Sequence, residues 1–317
     1  SIDMMRSIRL PGSMERKYST ELFVLQHPGM CYFFALMKKA VIRFWGVRGS
    51  IPSPGRKTVR FGGNTACVEI EAGSTRIVCD AGTGIRELGL SLGRGQGRGA
   101  LRAHILLSHI HWDHFMGLPF FTPLYSRKNR FVVAGPGSGG MSFGRALSKA
   151  MRPPYFPVPF SAIPAGLSFR TISGKPFFVG DVRVEPMAVN HPGGALGWRF
   201  DFPDGASLVH VTDNEPDSVH RRKALVDWMR GADVLIHDAQ YDPRSYRRHR
   251  GWGHSPYTFP IELAAEAGVG RLFLFHFDPQ DDDARLTKVL STARRYARER
   301  SVKVDVAMAR EGFSFLL

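Results

Sequence analysis

From Val41 onward the chain alternates short apolar runs with glycine-rich turns, a strand pattern. Val41 to Trp45, Ala66 to Glu71, Arg76 to Cys79, Ala103 to Ser108 and Phe131 to Ala134 read as strands in the first half. Apolar residues at helical spacing predict helices over Thr83 to Leu92 and Met141 to Ala150, with a flexible loop at Gly93 to Gly99. Four prolines between Arg152 and Phe160 forbid regular helix and predict a stiff aromatic loop, either a connector or a wall over a pocket. The second half repeats the style. Strands are expected at Val182 to Val189, Leu196 to Phe200, Ser207 to Val211, Val234 to Ile236, Leu272 to Phe275 and Val302 to Val306. Helices are expected at Asp217 to Met229, Ile261 to Ala267 and Asp282 to Arg298. Two groups of strands with interspersed helices, and no linker between them, predict an α/β protein of two packed sheets with helices outside.

The first residues do not share this pattern. Residues 1–36 read as an irregular N-terminal extension, and residues 37–317 as the folded domain, beginning at Met37. The apolar stretch from Leu22 to Met37 is interrupted by Gln26, His27, Pro28 and Gly29, is followed by Lys38-Lys39, and has no small-residue cleavage site, so it makes a poor signal peptide. No run of 18 or more apolar residues predicts a transmembrane helix, and no membrane partner is expected.

Composition changes the picture in two respects. With 317 residues and 43% hydrophobic content, a sizeable core forms without staples, so a metal found here is functional rather than structural. The formal charge of +15 suits an anionic substrate, with nucleic acid as a candidate partner, although it is also what a solubilising surface looks like. Three cysteines (Cys31, Cys67, Cys79), none in a C-x-x-C pair, exclude a disulfide framework and point to a cytoplasmic location.

The chemistry concentrates in one string. Three of the 12 histidines and an aspartate fall in His109-Ile110-His111-Trp112-Asp113-His114. Residues two apart near a strand end point to one side, so His109 and His111 can share an ion. Asp113 and His114, in the turn that follows, can reach a second ion. Imidazole and carboxylate suit zinc, manganese or iron. Three further polar residues follow apolar runs: His191 after Val189-Asn190, Asp213 after Val211-Thr212, and His276 after Phe275.

Leu106-Leu-Ser-His-Ile-His-Trp-Asp-His114, followed in order by His191, Asp213 and His276, resembles the signature of the metallo-β-lactamase superfamily. The resemblance spans roughly Lys38 to Leu317. It implies an αβ/βα four-layer sandwich, two mixed β-sheets flanked by helices, with the site at one edge. It also implies that His109, His111 and His191 hold one divalent ion, that Asp113, His114 and His276 hold another, and that Asp213 bridges them, with zinc as the expected metal. Aspartate at 213, where β-lactamases of the superfamily commonly carry cysteine, is similar to the phosphodiesterase and ribonuclease Z branches. So are Gly253-His254-Ser255, Phe44 to Pro52 (FWGVRGSIP) and Asp80-Ala-Gly-Thr-Gly84. Ribonuclease Z carries a long basic arm that grips tRNA, and no clear equivalent is evident here.

The resemblance therefore implies hydrolysis of a small or cyclic anionic phosphodiester by a metal-bound hydroxide. Asp113 would orient or deprotonate the water, and His254 would serve as general acid. The alternatives are an RNA 3′-end nuclease of ribonuclease Z type, a lactonase or thioesterase on the same metals, and a nucleotide sensor without turnover. His254 has a second role open to it as a helix cap. His237-Asp238 is either a supporting pair for the site or a structural one. His27, His104, His210, His220 and His249 read as structural or surface residues. Similar proteins are often homodimers.

Overall fold

The computed structural model of the protein describes residues 23–27, 30–34, 39–95 and 99–317. It divides into two compact units, residues 1–38 and 39–317. In the first, β1 (Phe23–His27) and β2 (Met30–Phe34) pair antiparallel, Phe23 opposite Phe34 and His27 opposite Met30. Part of the stretch expected to be irregular therefore forms two paired strands, in keeping with the strand-favouring Phe-Val-Leu and Tyr-Phe-Phe. The remainder of residues 1–36, and Met37, lie outside the described residues.

The second unit holds two seven-stranded sheets. The first comprises β3 (Val41–Gly46), β4 (Cys67–Ala72), β5 (Thr75–Cys79), β6 (Arg102–Leu106), β7 (Arg130–Pro136) and β8 (Gly166–Ile172) in order. The second runs β9 (Phe177–Val179), β10 (Val182–Val189), β11 (Ala195–Asp201), β12 (Ser207–Val211), β13 (Val234–Asp238), β14 (Arg271–Phe275) and β15 (Asp305–Met308). The last strand, β16 (Ser314–Leu316), returns to the first sheet beside β3. Each sheet is antiparallel at the start of its half and parallel at the end, with β5 to β8 parallel in one and β12 to β15 in the other.

Alternation along the strands builds the layers. On β3 the even-numbered Ile42 and Phe44 are buried, and Phe44 meets Phe273 and Phe275 of β14 at ring separations of 5.3 and 6.2 Å. This aromatic contact joins the sheets face to face. Behind the first sheet, Val78, Ile105 and Val133 share a core with Ile85 and Leu88 of α1 (Gly84–Gly95) and with Phe143 and Leu147 of α3 (Phe143–Ala150), the short α2 (Trp112–Phe115) lying between these helices in the chain. The second sheet is covered by α4 (Val219–Met229), α6 (Thr258–Ala267) and α7 (Asp283–Glu299), with one-turn α5 (Pro243–Tyr246) in the loop after β13. The architecture is the expected four-layer αβ/βα sandwich.

Some boundaries differ from the sequence reading. The strand expected at Val302 to Val306 lies at Asp305–Met308, because α7 extends to Glu299 and a turn follows. Helix α1 continues to Gly95, so only part of Gly93 to Gly99 is loop, and residues 96–98 lie outside the described residues. Strands β8, β9 and β16 have no counterpart in the reading; they are short or show mixed exposure, and so carry little periodic signal. Among the described residues no helix is long and apolar enough to cross a membrane.

Candidate metal centre

Parallel strands end on the same side, and this fold uses the carboxyl ends of five of them. Strands β5, β6, β12, β13 and β14 deliver Asp80, Ser108-His109, Asp213, Asp238 and His276. Three of these residues leave their strands through left-handed backbone, with φ of 60° at Asp80, 50° at Asp213 and 60° at His276. Such conformations cost about 1–3 kcal/mol each outside glycine and persist where the surroundings hold them.

The side chains converge. His109, His111, His191 and Asp213 form one group, and Asp113, His114, Asp213 and His276 a second, each with its ligand atoms within 4.8 Å of one another. All seven residues named from the sequence are thus brought together, and Asp213 belongs to both groups. Asp213 Oδ2 lies 3.3 Å from His109 Nε2, 3.3 Å from His114 Nε2 and 3.6 Å from His191 Nε2, while Oδ1 lies 2.9 Å from His276 Nε2. Asp113 Oδ2 accepts a hydrogen bond from the Ser50 N–H at 2.7 Å and faces His114 and His276 Nε2, both at 3.2 Å.

Four imidazoles are fixed from behind. Nδ1 of His109 meets Ser108 Oγ at 3.0 Å, and His114 Nδ1 donates to Asp80 Oδ2 at 3.0 Å. His191 Nδ1 donates to the Gly253 carbonyl and His276 Nδ1 to Gln240 Oε1, both at 3.1 Å. Each contact turns Nδ1 outward and points Nε2 at the centre, which is how proteins orient metal-binding histidine. His111 is turned the other way, with Nδ1 3.0 Å from His191 Nε2.

The donor set fits divalent cations. Buried His109 Nε2 has no hydrogen-bond partner. Burial first, and the neighbouring imidazoles after it, push His109 well below the usual histidine range, leaving a neutral donor. Burial alone would raise Asp113 and Asp213. The facing histidines outweigh it and hold both well below the usual carboxylate range, so both are anions in a buried cluster. His114 and His276, which these carboxylates raise against the pull of burial, carry the compensating positive charge, a role a divalent cation would take over, and mixed imidazole and carboxylate suits zinc, manganese or iron.

The sequence profile of the beta-lactamase superfamily domain matches residues 75–277. The chain belongs to the metallo-β-lactamase superfamily. It is a metal-dependent hydrolase. Among similar sequences, a ribonuclease Z from Bradyrhizobium sp. (strain ORS 278) is 25% identical over 298 residues, covering 79% of this chain and 93% of the relative. An uncharacterized Mycobacterium leprae protein, ML1173, is 30% identical over 190 residues, 56% of this chain, and the match spans only 60% of that relative's length. Solved structures of the same fold include YhfI of Bacillus subtilis (TM-score 0.64, 16% identity, 88% of this chain and 99% of that one) and human tRNase Z, short form (TM-score 0.60, 18% identity, 87% and 98%).

Several superfamily-like motifs acquire physical roles. In FWGVRGSIP, Ser50 holds Asp113, and a Cβ on Gly49 would come within 2.4 Å of the His276 ring. The motif at Asp80 supplies the carboxylate behind His114. His254 Nδ1 donates to Asp238 Oδ2 at 2.9 Å, and its ring stacks on His276 at 5.1 Å and lies 5.5 Å from His191. Burial alone would lower His254, but the Asp238 carboxylate outweighs it and raises the imidazole above its ordinary range. Of the pair His237-Asp238, therefore, only Asp238 serves this side chain. His237 turns away to Asn214 and to the Asp238 carbonyl.

Sequence reasoning missed three supporting residues: Ser108, Gln240 and Glu215. The buried Glu215 carboxylate accepts from the Gly251 and Gly253 N–H groups, both at 2.8 Å, and from Tyr246 Oη at 3.1 Å. It thereby pins the loop that carries His254 and the carbonyl behind His191. Gly253 has φ +87°, and a Cβ there would lie 2.2 Å from His191 Nδ1. The only sequence signal for Glu215 was its place two residues beyond Asp213. Of the histidines read as structural, His210 is buried, His220 is exposed and His249 is half-buried. His27 side-chain structure lies outside the described residues.

Proposed function

We propose that the protein hydrolyses phosphodiesters at a pair of divalent cations. His109, His111 and His191 would hold one, Asp113, His114 and His276 the other, with Asp213 shared. Bound there, the cations supply Lewis acidity that activates water and neutralises phosphate charge. Asp113, kept ionised and fixed by Ser50, is placed to orient the attacking water and accept its proton. His254, kept protonated by Asp238, is placed to give a proton to the leaving oxygen; such general acid catalysis is worth roughly 10²–10⁴-fold. The observation that carries the reading is the His254–Asp238 pair, a proton donor beside the seven proposed ligands; with Asp213 and His276 the two residues form a further group whose ligand atoms lie within 4.8 Å of one another.

Within phosphodiesters, cleavage at an RNA 3′ end is favoured by the similarity to ribonuclease Z along 93% of that relative's length and by the charge of +15. A small or cyclic phosphodiester is the second reading. It is favoured by the proline-rich segment, which folds back so that Phe156 meets Phe120 at 6.1 Å and Phe160 meets Phe169 at 5.2 Å. A panel of an RNA with an extended 3′ end, cyclic AMP and an acyl lactone, each with and without chelator, tests both. Chelator-sensitive cleavage of RNA supports the first and of cyclic AMP the second, whereas turnover confined to the lactone contradicts phosphodiester hydrolysis.

A further inference from the structure

The chain has five tryptophans. Trp198 and Trp228 are buried and Trp45 is half-buried, donating from Nε1 to Glu69. The other two, Trp112 and Trp252, are 68% and 61% exposed. Both lie beside the metal centre in the chain. Trp112 stands between His111 and Asp113, and His111 is the one exposed residue of the two four-residue groups. Trp252 stands two residues before His254. Leaving indoles in water forgoes roughly 25 cal/mol for each Å² of apolar surface, so their coincidence with the site calls for a reason.

The Trp252 indole is held, not loose. Its ring packs edge-on against His249 at 4.8 Å, His249 stacks on Tyr241 at 4.7 Å and 11°, and Tyr241 packs against His254 at 6.0 Å. The backbone on either side, Gly251 and Gly253, is bonded to Glu215. A continuous run of rings thus links an exposed indole to the proposed proton donor. In the same loop Arg247, Arg248 and Arg250 are exposed, and among the described residues none forms an ion pair with a carboxylate. An ordered aromatic face on a loop whose exposed guanidinium groups have no carboxylate partner, Arg250 lying over the Tyr246 ring at 5.9 Å, is complementary to a nucleotide, a π-surface attached to anions.

We propose that Trp252 is a stacking platform for the base of a nucleotide whose phosphodiester lies at the metal centre, with Trp112 as a second aromatic contact. The substrate class is then a nucleoside phosphodiester, a mononucleotide or an RNA end. This inference rests on the phosphodiester reading above. Its test compares thymidine 5′-(p-nitrophenyl phosphate) with methyl p-nitrophenyl phosphate on the metal-loaded full chain. The two esters share a leaving group and differ in the nucleoside.

The wild type is expected to prefer the nucleoside ester. Trp252→Ala should lower the ratio of the two kcat/KM values by roughly 5- to 100-fold, the range of base–aromatic stacking, and Trp252→Phe should keep most of it. A substitution that lowers both rates equally, or a wild-type ratio near one, overturns the inference while leaving the hydrolase reading intact. Turnover of neither ester counts against the phosphodiester reading, and indole fluorescence with AMP then decides this one. Saturable quenching that Trp252→Ala abolishes upholds the platform, and no quenching overturns it. Competition separates the sources: an oligoribonucleotide that inhibits more tightly than AMP, and less so as salt rises, marks a polynucleotide, and equal inhibition marks a mononucleotide.

Discussion

At the scale of single residues the account turns on which nitrogen carries a proton. Nδ1 of His254 is bonded to Asp238, so Asp238→Asn should leave metal content unchanged and reduce kcat by about 10- to 100-fold, within the range of general acid catalysis. Steady-state kinetics with metal analysis checks this, and an unchanged kcat removes the pair from the mechanism. A second histidine matters for stability. His210 is buried, neither ring nitrogen has a hydrogen-bond partner, and burial lowers it to about 4. Unfolded, it takes its proton near 6.5, the ordinary histidine value. Between those values the unfolded chain binds the extra proton, so acidification through this window erodes stability, by up to about 3 kcal/mol. His210→Leu should flatten the fall in urea-denaturation stability from pH 6.5 to 4.5, and an equally steep fall in the variant refutes the assignment. All seven proposed ligands were legible because imidazole and carboxylate at strand ends are chemically conspicuous. Ser108 and Gln240 were not, since a serine or glutamine that orients a histidine looks like any polar residue in a string.

At the scale of elements, the loop from Tyr246 to His254 is held by one carboxylate. Glu215→Ala leaves the Gly251 and Gly253 N–H groups and the Tyr246 hydroxyl without their acceptor, at a cost of roughly 2–3 kcal/mol. Because that loop carries His254, kcat should fall more than KM rises, and Glu215→Gln, which keeps one acceptor oxygen, should restore part of it. Stability unchanged in urea with full kcat contradicts this role. The elements best read from sequence were those with one clean face, such as β3 with Ile42 and Phe44 inward. Strand β8 was invisible because its burial alternates poorly, and β15 was placed about three residues early because Val302 to Val306 is apolar enough to pass for strand. Neither error touches the site, whose residues follow the strongly apolar interior strands.

At the scale of the whole molecule, the two halves repeat an antiparallel-then-parallel order, and the parallel strands of both end at one edge. The sequence predicted that two sheets would pack, but their spatial register comes from Phe44 against Phe273 and Phe275, a pairing across more than 200 positions of chain that no local pattern encodes. The central claim is that this edge binds metal and that the metal is needed for hydrolysis. Metal content and turnover of bis(p-nitrophenyl) phosphate, measured on one sample of the wild type and one of Asp213→Ala, test it most directly. The account predicts about two divalent ions per chain in the wild type, turnover that chelator abolishes, and loss of both metal and turnover in Asp213→Ala. A wild type that binds no metal, or that turns over fully after chelation, would contradict it.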